Sequence, residues 1–166
     1  TKFRKNFSEL KESFSKIYSH FNIAYSYKTN YTPKLCKIVN ELGGYAEVVS
    51  EMELELAKRV GVNPTNIIWN GPIKNPKVLE EFLLDGGVAN LDSTEEIRLI
   101  ESIIEKHPTV KLRLGIRCNY DVHDGVVSRF GFDVDRRDFD EALEFVTKNP
   151  SIKFINLQCH FAKRQI

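Results

Sequence analysis

The sequence has 166 residues, of which 42% are hydrophobic and 28% are charged, and its formal net charge is +1. This composition is typical of a soluble globular protein long enough to bury a core, and it does not indicate nucleic acid or an anionic membrane surface as a partner. No apolar run approaches the roughly 20 residues that span a bilayer. The first residues also lack the apolar stretch of a signal peptide.

The three cysteines, Cys36, Cys118 and Cys159, are widely spaced and form no CxxC pair. This spacing does not indicate a zinc site or a disulfide framework, so we predict a reduced, cytoplasmic protein without a metal. The sequence begins with Thr1 rather than Met and stops directly after an apolar run. We therefore expect it to be part of a longer chain.

Apolar periodicity predicts an amphipathic helix over 1–20, a buried strand over 23–27 that ends on Lys28, and a helix over 33–42. A second strand over 45–49 leads to a helix capped by Ser50, with Glu53 completing a capping box. This helix is predicted to stop at Gly61 and to bury four apolar side chains: Met52, Leu56, Ala57 and Val60.

The second half of the sequence repeats the same alternation. A strand over 66–69 precedes a helix that starts with Asn75 as N-cap and Pro76 at the first helical position. A strand over 88–91 precedes a helix with a second capping box, Ser93 and Glu96. A longer strand over 110–118, an irregular segment over 119–137, a helix over 138–147 and a strand over 154–160 complete the chain.

Alternating strands and helices predict a parallel sheet in an α/β fold. The first strand-to-helix turn carries neither G-x-G-x-x-G nor G-x-x-x-x-G-K-[ST], which weakens the dinucleotide and P-loop interpretations of an open sheet. Short, even units favour a TIM-like (β/α)₈ barrel. Six strands are predicted, about two units short of that barrel. We predict an N-terminal helix over 1–20 and a partial barrel over 21–166.

In a parallel barrel, functional side chains gather at the carboxyl ends of the strands. We call the residues predicted at these ends the rim residues: Lys28, Glu47, Asn70, Asp92, Arg117 and His160. Four of these residues also have a purely structural explanation. Asp92 could be part of a helix cap and Asn70 a turn residue. His160 could be a core histidine, and Lys28 could end its strand and reach water. A carboxylate at position 47 inside an apolar strand needs a partner, for which Lys28 and Arg117 are candidates.

A lysine beside apolar neighbours is a candidate nucleophile that forms a Schiff base, because desolvation disfavours the ammonium form. Together with Arg117 and His160, Lys28 indicates a cofactor or an anionic substrate held at this edge. Pyridoxal phosphate fits this pattern, with the lysine as the covalent group.

Several ordered segments resemble motifs of the pyridoxal-phosphate-dependent decarboxylases that have an alanine-racemase-like barrel. The segment 24–30 resembles Y-A-x-K-A/C-N, and 42–50 resembles L-G-x-G-x-D-V-x-S. Residues 70–74 resemble an x-G-P-x-K turn, and 92–97 resemble D/E-S-x-x-E-L. The last two resemblances are of Ser128–Gly131 to S-K-F-G and of Gln158–Phe161 to H-C-H-x.

The resemblance implies a decarboxylase of diaminopimelate or a similar diamino acid, as in lysine biosynthesis, with pyridoxal phosphate as cofactor. It implies that Lys28 holds the cofactor aldehyde, that His160 stacks on its ring, that Arg117 contacts its phenolic oxygen and that Glu47 lies near the lysine. Lys163 stands where the family often has serine. A small amino-acid substrate, a homodimer and a C-terminal β-domain beyond residue 166 are also implied. An amino-acid racemase and a non-enzymatic relative on the same barrel are the alternatives.

Overall fold

The computed structural model describes residues 1–121 and 129–160, and the chain divides into two units, Thr1–Trp69 and Asn70–Ile166. The helices and strands of the first unit are α1 (Lys2–Ser15), β1 (Ala24–Ser26), α2 (Pro33–Glu41), β2 (Tyr45–Val48), α3 (Glu51–Arg59) and β3 (Ile67–Trp69). A short 3₁₀ turn, Pro64–Asn66, leads into β3.

The three strands of the first unit form a parallel sheet in which β2 pairs with β1 and with β3. Glu47 of β2 lies opposite Ser26 on one side and Ile68 on the other, so these three side chains share a face. Ala46, on the opposite face, is buried. The parallel βα arrangement predicted for this half of the sequence is confirmed.

The helix ends of the first unit follow the predicted caps. Ser50 precedes α3, and its hydroxyl accepts a hydrogen bond from the Glu53 N–H (3.3 Å). The Glu53 carboxylate accepts from the Val49 N–H (2.7 Å), one residue further back than in the usual capping box. The prediction that Met52 is buried is wrong, since its side chain is 55% exposed and Leu54 enters the core instead. The first helix ends at Ser15, before the predicted position 20.

The helices and strands of the second unit are α4 (Pro76–Leu84), β4 (Val88–Leu91), α5 (Thr94–Lys106), β5 (Leu112–Asn119), β6 (Phe132–Asp133), α6 (Arg137–Lys148) and β7 (Ile152–Gln158). The predicted N-cap is confirmed, because the Asn75 side chain accepts from the N–H groups of Lys77 (3.0 Å) and Val78 (3.4 Å). The bounds of β4 are those that the sequence predicted. The two-residue strand β6 was not predicted and lies in the segment interpreted as irregular.

In the second unit β5 lies between β4 and β7, parallel to both, and its end also pairs with β6. The pairing of β5 with β7 contains an irregularity, because Leu114 lies opposite Phe154 whereas Ile116 lies opposite Leu157. One extra residue of β7 is accommodated there, as in a β-bulge. Beyond it, Gln158 lies opposite Arg117, so both side chains lie on the same face of the sheet.

The opposite face of this sheet is apolar. Leu91, Leu114 and Ile116 are buried there, and buried residues of the three helices complete the core of this unit: Leu79, Phe82, Leu83, Ile100, Ile103, Ala142 and Val146. Among the described residues, no helix is both long enough and apolar enough to cross a membrane.

Candidate active site

Lys28 lies in a turn that directly follows β1, and its side chain is exposed. The N–H groups of Thr29 and Asn30 both approach the Ser26 carbonyl (3.2 and 3.4 Å), which closes the turn. The strand predicted over 23–27 is present as β1, but its predicted burial is wrong, because Ala24 is exposed and Tyr25 and Ser26 are half-buried. Within the described residues, β1 pairs with β2 alone, so no strand pairs with its other edge there.

The residue before the lysine is the buried one. Tyr27 is 1% exposed, and its backbone N–H donates to the Glu47 carbonyl (2.9 Å). Burial and the neighbouring Cys36 thiol raise the pKa of the Tyr27 hydroxyl well above its usual value. The turn that carries Lys28 is therefore fixed by an aromatic side chain in the core and by the backbone of the predicted site residue Glu47, whose side chain is half-buried.

In the second unit, Arg117 near the end of β5 and Asp92 after β4 form a buried ion pair. Arg117 Nη1 donates to Asp92 Oδ1 (3.0 Å), and the side chains are 11% and 8% exposed. The Arg117 guanidinium also lies over the Phe130 ring, 4.9 Å from its centroid, a cation–π geometry. The helix-cap explanation of Asp92 is replaced by this contact, because Ser93 is the N-cap of α5.

The surroundings of Gly131 explain why the segment that resembles S-K-F-G ends in glycine. Its φ is +78°, and a Cβ atom built there would lie 2.7 Å from the Arg117 carbonyl oxygen. Only glycine adopts this backbone conformation readily and permits so close an approach. Phe130 is thereby brought against Arg117.

Of the other two rim residues of this unit, Asn70 contacts the face that carries Arg117. Asn70 was interpreted as a turn residue, and its side-chain oxygen accepts a hydrogen bond from the amide of the buried Asn90. His160 follows β7 and is exposed, two residues after Gln158. Three residues named in the resemblance, Ser128, Phe161 and Lys163, lie outside the described residues.

A buried ion pair between Lys74 and Glu96 was not assigned a role by the sequence analysis. Lys74 Nζ donates to both carboxylate oxygens of Glu96 (2.8 and 3.1 Å) and to the Asn90 carbonyl (2.9 Å). Burial lowers the pKa of the Lys74 ammonium and raises the pKa of the Glu96 carboxyl, and each partner opposes the shift of the other. Both residues stood in segments that the sequence analysis had noted, because Lys74 is the lysine of the x-G-P-x-K turn and Glu96 is the glutamate of the second capping box.

The face that carries Arg117 offers further polar atoms for a ligand. Within the part of the chain that the structure describes, the side-chain oxygens of Asn90, Asn156 and Gln158 are buried without a hydrogen-bond partner. Gly115 leaves room for two of them, since a Cβ atom there would lie 2.0 Å from Asn90 Oδ1 and 2.5 Å from Asn156 Oδ1. The Arg117 guanidinium can donate to an anionic oxygen of a ligand such as pyridoxal phosphate, whereas the three acceptor oxygens fit N–H or O–H donors of a ligand or of water.

These features define an α/β protein built from parallel βα units, with buried polar and charged side chains gathered near the carboxyl ends of the strands β4, β5 and β7. The chain belongs to the family of pyridoxal-dependent decarboxylases, and the model of their pyridoxal binding domain matches residues 1–163. The family resemblance and the cofactor class predicted from the sequence are thereby confirmed.

Two curated relatives are similar over most of the chain. A diaminopimelate decarboxylase of Aquifex aeolicus is 30% identical over 164 residues, which is 92% of this chain and 38% of the relative. A diaminopimelate decarboxylase of Archaeoglobus fulgidus is 28% identical over 162 residues, with the same coverage. The chain thus spans 38% of the length of each of these relatives.

Solved structures agree on the fold. A diaminopimelate decarboxylase of Methanocaldococcus jannaschii in complex with L-lysine matches 99% of this chain and 40% of its own, with a TM-score of 0.82 at 22% identity. A protein from Aquifex aeolicus matches 99% of this chain and 38% of its own, with a TM-score of 0.77 at 29% identity. The predicted fold class, part of a (β/α)₈ barrel, is confirmed.

Proposed function

We propose that the protein containing this chain is a pyridoxal-phosphate-dependent amino-acid decarboxylase that acts on diaminopimelate or a closely related diamino acid. The family membership supports the reaction class, and the names of the two curated relatives support the substrate class. No feature of the described residues favours the racemase or the non-enzymatic alternative over this proposal.

The structural observation that most supports the proposal is the ion pair between Arg117, near the end of β5, and Asp92. A guanidinium has five N–H donors, and Asp92 accepts from one of its nitrogens, Nη1. The carboxylate therefore orients the guanidinium while other donors are presented to a ligand. A charge-assisted hydrogen bond from Arg117 to an anionic oxygen of the cofactor is the role we assign to this residue.

The remaining predicted residues take complementary roles in this proposal. Lys28 is the Schiff-base lysine that attaches the cofactor, and its exposed side chain on a fixed turn is accessible to an aldehyde. His160 stacks on the cofactor ring, and Glu47 lies near the attachment point. When bound, the cofactor supplies an electron sink for the carbanion that remains after carbon dioxide leaves the substrate.

Spectroscopy of the full-length protein tests the cofactor assignment. Apoprotein titrated with pyridoxal phosphate is expected to develop a visible imine band that is absent from a Lys28→Ala variant. Borohydride reduction followed by peptide mass spectrometry should place the reduced cofactor on Lys28 alone. Lys34, an exposed lysine on α2, supplies a matched control, because a Lys34→Ala variant should keep the band.

Carbon dioxide release then tests the reaction and the substrate. We expect release from meso-diaminopimelate to exceed release from lysine, ornithine and arginine. Loss of substrate chirality without carbon dioxide would instead identify a racemase. Absence of the imine band at saturating cofactor would refute the proposal at its first step.

We further propose that the full-length protein is a cytoplasmic homodimer, as the sequence analysis predicted. Light scattering coupled to size exclusion is expected to give twice the mass of one full-length chain. Cell fractionation should recover the protein in the cytosol, and recovery in a membrane or secreted fraction would contradict this assignment.

A further inference from the structure

Four charged side chains of the second unit form one connected buried group: Lys74, Glu96, Asp92 and Arg117. Their formal charges sum to zero, which is the condition under which charges are tolerated in a core. Arg117 has a role in the proposed function. Lys74 and Glu96 have none so far, although both stand in segments that the sequence analysis singled out.

The connection between the two pairs is the backbone of residue 92. Glu96 Oε2 accepts a hydrogen bond from the Asp92 N–H (2.8 Å), and the side chain of Asp92 in turn accepts from Arg117 (3.0 Å). Glu96 thus fixes the peptide group from which the Asp92 carboxylate extends. Any shift of that peptide group moves the hydrogen-bond acceptor of Arg117.

Comparison with α3 shows what Lys74 adds. Glu53 makes the equivalent contact to the N–H of Val49 (2.7 Å), so the capping geometry forms there as well. At Glu96, Lys74 additionally binds both carboxylate oxygens and the carbonyl of Asn90, and its side chain has 0% exposure. The ammonium therefore neutralises the carboxylate and fixes its rotation, and it also holds the end of β4.

We propose that Glu96, held by Lys74, is a positioning residue that sets the orientation of Arg117 through the backbone of Asp92. This inference rests on the proposed function, in which Arg117 contacts the cofactor. Because the hydrogen bond to the Asp92 N–H is the contact by which Glu96 fixes that peptide group, we expect its positioning role to follow the acceptor oxygen more than the charge.

A pair of double variants in the full-length protein separates positioning from mere stabilisation of the fold. Both remove the two buried charges together, so neither leaves an unpaired ion. Lys74→Met with Glu96→Gln keeps an acceptor oxygen for the Asp92 N–H, whereas Lys74→Met with Glu96→Met removes it. Lys148→Met with Glu144→Gln, an exposed pair on α6, is the matched control.

Two measurements are made on each variant. Hydrogen exchange of the peptide containing Asp92, in apoprotein, should be slow in the Gln variant and faster in the Met variant. The dissociation constant for pyridoxal phosphate should stay near the wild-type value in the Gln variant and rise about 10-fold or more in the Met variant, as for loss of one charge-assisted hydrogen bond.

Arg117→Met distinguishes failure of this inference from failure of the proposed function. If Arg117→Met binds the cofactor as tightly as wild type does, the assignment of Arg117 fails, and hydrogen exchange at Asp92 alone tests the link from Glu96. If Arg117→Met binds weakly but both double variants bind equally well, the positioning role of Glu96 is overturned. Equal exchange at Asp92 in both double variants would overturn it independently of the cofactor.

Discussion

Removing only one partner of the buried Lys74–Glu96 pair tests how strongly that pair affects the stability of the second unit. Lys74→Met deletes an ammonium that makes hydrogen bonds of 2.8, 2.9 and 3.1 Å. It leaves the Glu96 carboxylate, 10% exposed, without its counter-charge. Truncating one partner of such a pair costs about 3–5 kcal/mol, against a total stability of about 5–15 kcal/mol for a typical domain.

The assay is urea unfolding of the full-length protein at pH 7, followed by circular dichroism. We expect the free energy of unfolding to fall by about 3–5 kcal/mol in Lys74→Met, whereas Lys148→Met on exposed α6 should leave the midpoint unchanged. Lys74→Met combined with Glu96→Met should recover most of the loss, because no buried charge is then left without its partner. A loss in Lys74→Met no greater than that in Lys148→Met would refute the reasoning.

The same variant has a predicted pH dependence. Burial already raises the pKa of Glu96, and removal of the neighbouring ammonium raises that pKa further. A carboxyl with a raised pKa in the folded state retains its proton when the unfolded chain has lost it, so stability falls as pH rises through that interval. The deficit of Lys74→Met should therefore grow as pH rises from the unfolded glutamate value, about 4.3, and shrink as pH is lowered.

Three smaller predictions concern local geometry. In Gly131→Ala, the free energy of unfolding should fall by about 1–2 kcal/mol because of the left-handed backbone, and further because the new Cβ contacts the Arg117 carbonyl. Gly61 has φ +84° and open space around it. Urea unfolding of Gly61→Ala therefore measures the backbone cost alone. Ser93→Ala should cost about 1 kcal/mol as a lost N-cap, read from the same transition. Hydrogen bonds from the His107 imidazole and the Lys106 ammonium lower the pKa of Glu80. Ionised Glu80 therefore stabilises the fold at a pH above the carboxyl pKa of the unfolded chain. The difference in melting temperature between wild type and Glu80→Gln should disappear as pH falls below about 4.

Elements with a strong local signal were predictable from the sequence. The strand β4 has the predicted bounds, and Asn75 and Ser93 cap their helices as expected, because caps and apolar periodicity depend on nearby residues. Met52 was misassigned because a helical pattern does not say which side chain at the edge of the apolar stripe meets a neighbour. The two-residue strand β6 exists through its pairing with Cys118 and Asn119, which no local pattern encodes.

The site was predictable to a similar degree. Placing Arg117 near the end of one strand and Asp92 after the preceding strand followed from counting βα units, but their mutual contact follows from side-chain geometry alone. The burial expected at Lys28 belongs instead to Tyr27, the adjacent residue, because the strand ends at Ser26, one residue before the end of the apolar run. Lys74 was overlooked because a charged residue in a turn is ordinarily solvated, and its partner lies 22 positions further along the chain.

The extra residue in β7 determines which side chains of that strand face Arg117. Because side chains alternate along a strand, regular pairing of the same sequence from Phe154 onward would place Leu157 opposite Arg117 and turn Gln158 toward the helices. Deleting one residue between Phe154 and Leu157 would remove the bulge and keep Leu157 opposite Ile116 and Gln158 opposite Arg117. Natural variation in β7 should accordingly accept the loss of one residue at the bulge more readily than a change in length elsewhere in the strand.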